Sequence, residues 1–186
     1  YAEIVRDKLS ERDPTNADIY AANYDTFATH IDTLDNAIQA TSDSIPPENR
    51  KVLTYHDSWA YFSPRYGTTV IGAIQPADFS EPSAREVADL IGQLQETDVP
   101  AIFGSEVFPS PILDQIAKEA GVIYVDTLRD DDLPGSPGDA NHSYIGMMVE
   151  NVRTMAEALG GDPMLMNDVE VDNVTGGDGA VDQAQE

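Results

Sequence analysis

Apolar residues recur at Tyr20, Tyr24, Phe27, Ile31, Leu34 and Ile38. Steps of four and three keep them on one stripe of a helix for about five turns. Residues 1–9 begin an earlier amphipathic piece of mixed charge, so the opening reads as helix in two parts. Asp13 and Pro14 predict the start of the second part: the carboxylate can cap free amides, and proline sits where no amide hydrogen bond is lost. Pro46 and Pro47 predict its end. A helix of this length with a one-sided stripe must lie across something, either its own domain or a second domain that it joins.

Beyond the two prolines the period changes. Short apolar runs at 51–55, 69–74, 101–103 and 122–125 alternate with helical patterns at about 58–66, 83–96, 109–120 and 141–159. Right-handed crossovers turn such alternation into a parallel sheet flanked by helices. The expected fold is α/β, a three-layer sandwich with a four-stranded, mostly parallel sheet, preceded by a long helix of interdomain type. Ligand chemistry belongs at the carboxyl ends of its strands, here 55–58, 75–81, 104–109 and 126–139. The expected division is a helical segment at 1–45, an α/β lobe at 46–160 and a tail at 161–186.

Composition changes this picture in two places. From Gly160 the chain carries seven acidic residues, no basic residue and five of the thirteen glycines, without an apolar period, which predicts a mostly mobile tail. Asp168, Glu170 and Asp172 lack the glycine and closing glutamate that a calcium loop requires. Over the whole chain, 34 acidic residues against 10 basic ones give a net charge of −24. Three lysines and seven arginines, spread singly, cannot form a phosphate-binding surface, so nucleic acid is excluded as a partner. A cationic ligand is favoured instead. With 41% hydrophobic residues the chain can still bury a core.

Absence of cysteine removes disulfides, thiolate metal sites and cysteine nucleophiles together. No G-x-G-x-x-G, P-loop, G-x-S-x-G or H-E-x-x-H motif occurs, so dinucleotide, phosphoryl-transfer, serine-esterase and zincin chemistry lose their support. What remains lies at strand exits. His56 follows the first strand, with Asp57 or Ser58 placed to cap the next helix. Asp130, Asp131 and Asp132 follow the fourth strand, either as a solvated loop or with one carboxylate turned toward His56. A histidine nitrogen and a carboxylate oxygen form half of a transition-metal site. Glu106, after the third strand, is either a partner that orients the histidine or an acid favoured by a helix dipole. His30 is expected to face solvent, and His142 to be an exposed residue opening the last helix.

These residues carry a resemblance. The run His56-Asp57-Ser58-Trp59-Ala60-Tyr61-Phe62, then Tyr66-Gly67, Glu81-Pro82-Ser83, Ala101-Ile102-Phe103, Tyr124, Asp130 and Tyr144-x-x-Met147-Met148-x-x-Asn151 resembles the C-terminal lobe of the metal-binding receptors of bacterial zinc and manganese ABC importers. These are the ZnuA/TroA/PsaA-like lipoproteins, some first described as adhesins. The match runs in order over about residues 1–160. In that family two α/β lobes are joined by one long rigid helix, which the striped segment resembles.

The resemblance implies that His56 and Asp130 are metal ligands, with two further histidines supplied by an N-terminal lobe that has no counterpart here. Glu106 stands one residue farther from its strand than the family's usual acid. The implied function is non-enzymatic: an extracytoplasmic, periplasmic or lipid-anchored solute-binding component captures a divalent metal between lobes and hands it to a membrane permease. Zinc is the expected cargo and manganese the second, with the export signal outside this chain. Two other classes remain open from the residues themselves: a metal-dependent hydrolase of α/β fold, and an interaction domain whose acidic face attracts cations diffusely.

Overall fold

The computed structural model describes residues 1–54, 58–73, 83–105 and 110–172. Helix α1 (Ala2–Arg12) and a 3-10 turn (Pro14–Asn16) lead into the 28-residue helix α2 (Ala17–Ser44). Asp13 stands at the N-cap of the 3-10 turn and not of α2. Its Oδ2 accepts from Asn16 Nδ2 at 2.7 Å and from the Tyr20 hydroxyl at 2.9 Å. The charge therefore ties the turn to the first turn of α2 through side chains, because the 3-10 turn takes up the residues that an N-cap would serve. Helix α2 stops at Ile45, which is extended because the following Pro46 disfavours helical backbone before it.

The remaining elements alternate as the period predicts: β1 (Lys51–Thr54), α3 (Phe62–Tyr66), β2 (Thr69–Ala73), α4 (Ala84–Thr97), β3 (Ala101–Ser105), α5 (Pro111–Ala120), β4 (Ile123–Leu128) and α6 (Tyr144–Leu159). Local chemistry sets several boundaries. Ser83 and Glu86 form a reciprocal capping box on α4, while Ser110 and Ser143 cap α5 and α6. Helix α6 ends on Gly160 at a φ of 79°, left-handed backbone that glycine adopts without a Cβ clash.

All strand pairs are parallel, in the order β2-β1-β3-β4. From β1 the chain crosses to one side to make β2 and then to the other to make β3, so the topological switch lies between β1 and β3. Alternate residues build the two faces of the sheet. Val52, Ala101 and Phe103 pack with Trp59, Leu128, Met155 and Leu159, whereas Leu53 and Ile102 pack with Leu94, Leu113 and Ile116 of α4 and α5. A further cluster joins α2 to α6 through Leu34, Ile38, Ile145, Val149 and Val152.

The α2 stripe is buried only toward its end. Leu34 and Ile38 are 3% and 1% exposed, while Tyr20, Tyr24, Phe27 and Ile31 are half-buried. Helix α1 lies against this early part, with the Arg6 guanidinium 4.3 Å from the centre of the Tyr24 ring.

The first part of the expected tail is packed against the helices. A 3-10 turn (Pro163–Met166) packs on α2 and α6, and Met166 is fully buried with Val169 nearly so. A few apolar residues without period suffice to pin a short strap where a groove already exists. The expectation for 173–186 falls outside the described residues, as it does for 75–81 at the exit of β2.

Candidate metal centre

β4 delivers its exit to the ligand edge of the sheet. Leu128 is buried, and the next residue is clamped by Asn151 of α6: the Arg129 N–H donates to Asn151 Oδ1 at 2.9 Å, and Asn151 Nδ2 donates to the Arg129 carbonyl at 2.7 Å. Asn151, 1% exposed, thus extends the ladder by one residue from a neighbouring helix. Asp130 comes next, half-buried, and its Oδ2 accepts a 2.6 Å hydrogen bond from the hydroxyl of Ser58. Ser58 is therefore not a helix cap. Helix α3 begins only at Phe62, too far along the chain for that hydroxyl to serve its amides.

The three aspartates of this exit behave differently. Asp131 and Asp132 are exposed, and Asp132 lies 3.5 Å from the Arg129 guanidinium while accepting from the Leu133 N–H at 3.0 Å. Only Asp130 turns into a cleft of about 550 Å³. One wall of the cleft is α2 with Asp32 and Asp35, another is the stretch from Ser58 to Tyr66, and Met147 and Met148 of α6 form its floor. Trp59, buried beneath the rim, meets Phe62 edge to face at 5.2 Å and fixes the stretch that carries Ser58.

An ion pair braces that stretch against the long helix. Arg65 engages both oxygens of Asp35, its Nε at 2.7 Å, and the Tyr66 hydroxyl donates to Asp35 at 2.6 Å. Hydrogen bonds from Arg65 and then Tyr66 hold the Asp35 carboxyl below its ordinary range. Burial, reinforced by the bond to Asp35, pushes the Tyr66 hydroxyl up to about 12.

Of the residues singled out in the sequence, Asp130 is placed at the ligand edge, whereas His56 and Glu106 lie outside the described residues. Among the described residues no three histidine, aspartate or glutamate side chains converge as a metal set. His30 does not face solvent: its side chain is 23% exposed, with Nε2 3.6 Å from Glu170 in the strap that follows α6. His142 precedes the capping Ser143 and is half-buried, its Nδ1 donating to the Pro134 carbonyl at 3.0 Å. The strap after α6, distant in sequence, partly covers His30, while the loop just before α6 partly covers His142. Asn151 and Ser58, noted in the sequence only within the resembling motifs and, for Ser58, as a candidate cap, take supporting roles that the sequence does not assign them. Asn151 left a signal, since it interrupts an apolar stripe between Met147 and Met155; Ser58 left none beyond its nearness to His56.

An open parallel α/β lobe that presents a carboxylate at the carboxyl edge of its sheet, with a long helix along the cleft, has the architecture of a solute-binding protein lobe. Residues 1–158 match the family described as zinc-uptake complex component A, periplasmic, and the chain belongs to that family. It is 28% identical over 164 residues to the manganese-binding lipoprotein MntA of Halalkalibacterium halodurans, covering 86% of this chain and 53% of that protein. It is also 28% identical to the zinc-binding protein TroA of Treponema pallidum, over 75% of this chain and 47% of that protein, and 27% identical to the iron-binding protein YfeA of Yersinia pestis. The solved structure of the periplasmic zinc-binding protein TroA superimposes with a TM-score of 0.75 at 27% identity, covering 84% of this chain and 58% of that one. The chain spans about half the length of the curated relatives it matches.

Proposed function

We propose that this chain forms part of the extracytoplasmic substrate-binding component of a metal-ion ABC importer, and that it holds a divalent transition metal as cargo rather than as a catalyst. Asp130 supplies one ligand and His56 another, with Glu106 in the role of a partner that orients the histidine; two further histidines come from a second lobe. The captured ion passes to the membrane permease. The observation that carries the reading is Asp130, the one aspartate of its loop that turns into the cleft, held there by Ser58 and by the Asn151 clamp behind it. Ser58 stands two residues after His56, so the hydrogen bond ties the segment that carries one proposed ligand to the side chain of the other.

Support for the cargo comes from family membership and from relatives named for manganese, zinc and iron. Zinc leads, because imidazole with a single carboxylate suits a closed four-coordinate site; manganese follows. A fully occupied ligand set leaves no position for an activated water, which separates capture from hydrolysis.

Calorimetric titration of zinc into the protein at its full natural length tests the reading. His56→Ala and Asp130→Ala should each weaken binding by at least the roughly 100-fold upper end expected for losing a mere supporting residue. Binding should also fade as pH falls through about 6.5, where free histidine protonates and loses its metal-binding lone pair. Nanomolar zinc affinity surviving both substitutions would overturn it.

A further inference from the structure

The relation between Ser58 and Asp130 carries more than anchorage. A carboxylate can meet a metal through one oxygen or chelate it through both, and the choice changes the coordination number by one. Here the two oxygens are not equivalent. Oδ2 accepts the Ser58 hydroxyl at 2.6 Å, a short bond of the kind made by an ionised acceptor, while Oδ1 has no hydrogen-bond partner among the described residues. The donated proton draws charge from Oδ2, and the fixed bond direction limits rotation of the carboxylate. Rotation of the backbone beneath it is limited independently, since Asn151 grips both the N–H and the carbonyl of the preceding residue.

We infer that Ser58 is a specificity-determining residue: by occupying Oδ2 it holds Asp130 as a one-oxygen ligand through Oδ1, and so favours a four-coordinate ion such as zinc over one that takes six oxygen-rich contacts such as manganese. The inference rests on the proposed role of Asp130 as a ligand. Four-coordinate tetrahedral sites suit zinc, whereas manganese favours octahedral coordination with carboxylate and water oxygens. Freed from the hydroxyl, the same carboxylate can turn both oxygens to the ion, which adds the contact that manganese uses and zinc does not need. Ser58 is exposed at the cleft rim and packs in no core cluster, so its replacement leaves the fold intact.

The experiment compares wild type with Ser58→Ala, Ser58→Thr and Asp130→Ala at full natural length, measuring zinc and manganese affinities by competition titration and recording the visible spectrum of the cobalt(II)-loaded forms. Ser58→Ala should lose about tenfold or more in zinc affinity, the range found when a residue supporting a ligand is removed. Manganese affinity should stay within about threefold, so that the zinc-to-manganese ratio falls by severalfold, and the intense tetrahedral cobalt bands should weaken as coordination rises. Ser58→Thr, which keeps the hydroxyl, should restore both the ratio and the spectrum. Equal losses for the two metals with an unchanged cobalt spectrum would overturn the inference and leave Ser58 as an anchor. Unchanged affinities in Ser58→Ala would overturn it as well. Zinc binding unaffected by Asp130→Ala would remove the ligand role itself, a failure that the Asp130 variant reports separately from the Ser58 series.

Discussion

Replacing Asn151 with alanine should cost far more than the loss of a single polar contact, because one side chain satisfies two backbone groups at the point where β4 ends. Its Oδ1 and Nδ2 bond the Arg129 N–H and carbonyl at 2.9 and 2.7 Å, and the residue is 1% exposed. A buried backbone group that loses its partner costs about 1–3 kcal/mol. Arg129 is half-buried, which lets water recover part of this, so the sum for both groups is about 2–4 kcal/mol. For a chain of this size each kcal/mol moves the thermal midpoint by about 2–4 °C, and the expected drop is roughly 4–16 °C. Urea denaturation followed by circular dichroism reads the free energy directly. The substitution should shift the urea midpoint without changing the slope, as expected when stability falls and the exposed surface does not. A loss below about 1 kcal/mol would refute the argument, since it would mean that solvent replaces both bonds and that the clamp does not hold the strand exit.

Gly146→Ala should destabilise the protein although alanine is the better helix former by about 1 kcal/mol, because a Cβ there would stand 2.1 Å from the Asn141 carbonyl oxygen; thermal denaturation that shows equal or greater stability would contradict this. Asp35→Asn should flatten the acid limb of the stability profile. With the Asp35 carboxyl held low by Arg65 and Tyr66, its contribution is complete above the ordinary carboxylate value of 3.8 and is lost as pH falls through the lower folded value, so urea midpoints below about pH 4 should converge for the two proteins. At the alkaline end the sign reverses: Tyr66 is raised from 10.0 to about 12, so its contribution is complete below 10 and is lost as pH rises from there through 12, an effect that Tyr66→Phe should abolish.

How much of this molecule was legible along the chain follows from the range of the interactions involved. The order of α2, β1 to β4 and α3 to α6 is set by period, by caps such as Ser83 with Glu86, and by breakers such as Pro46, all of which act within a few residues. Parallel pairing and the ligand edge follow from the alternation of strand and helix, because crossovers have one hand. An acid at that edge could be expected for the same reason, since three aspartates stand just past the fourth strand, whereas Asp130 in particular was indicated only by the family resemblance. Contacts between segments far apart in sequence leave no such trace. The bond from Ser58 to Asp130 spans 72 residues, the Asn151 clamp 22 and the Asp35–Arg65 pair 30, and each depends on two side chains meeting at a distance that no local pattern encodes. The strap at 163–169 and the covered His30 belong with them: a groove between α2 and α6 must exist before Met166 can fill it. Sequence alone therefore determined which elements form and where a ligand can be met, while the tertiary structure decided which of three adjacent aspartates faces the cleft and which hydroxyl holds it there.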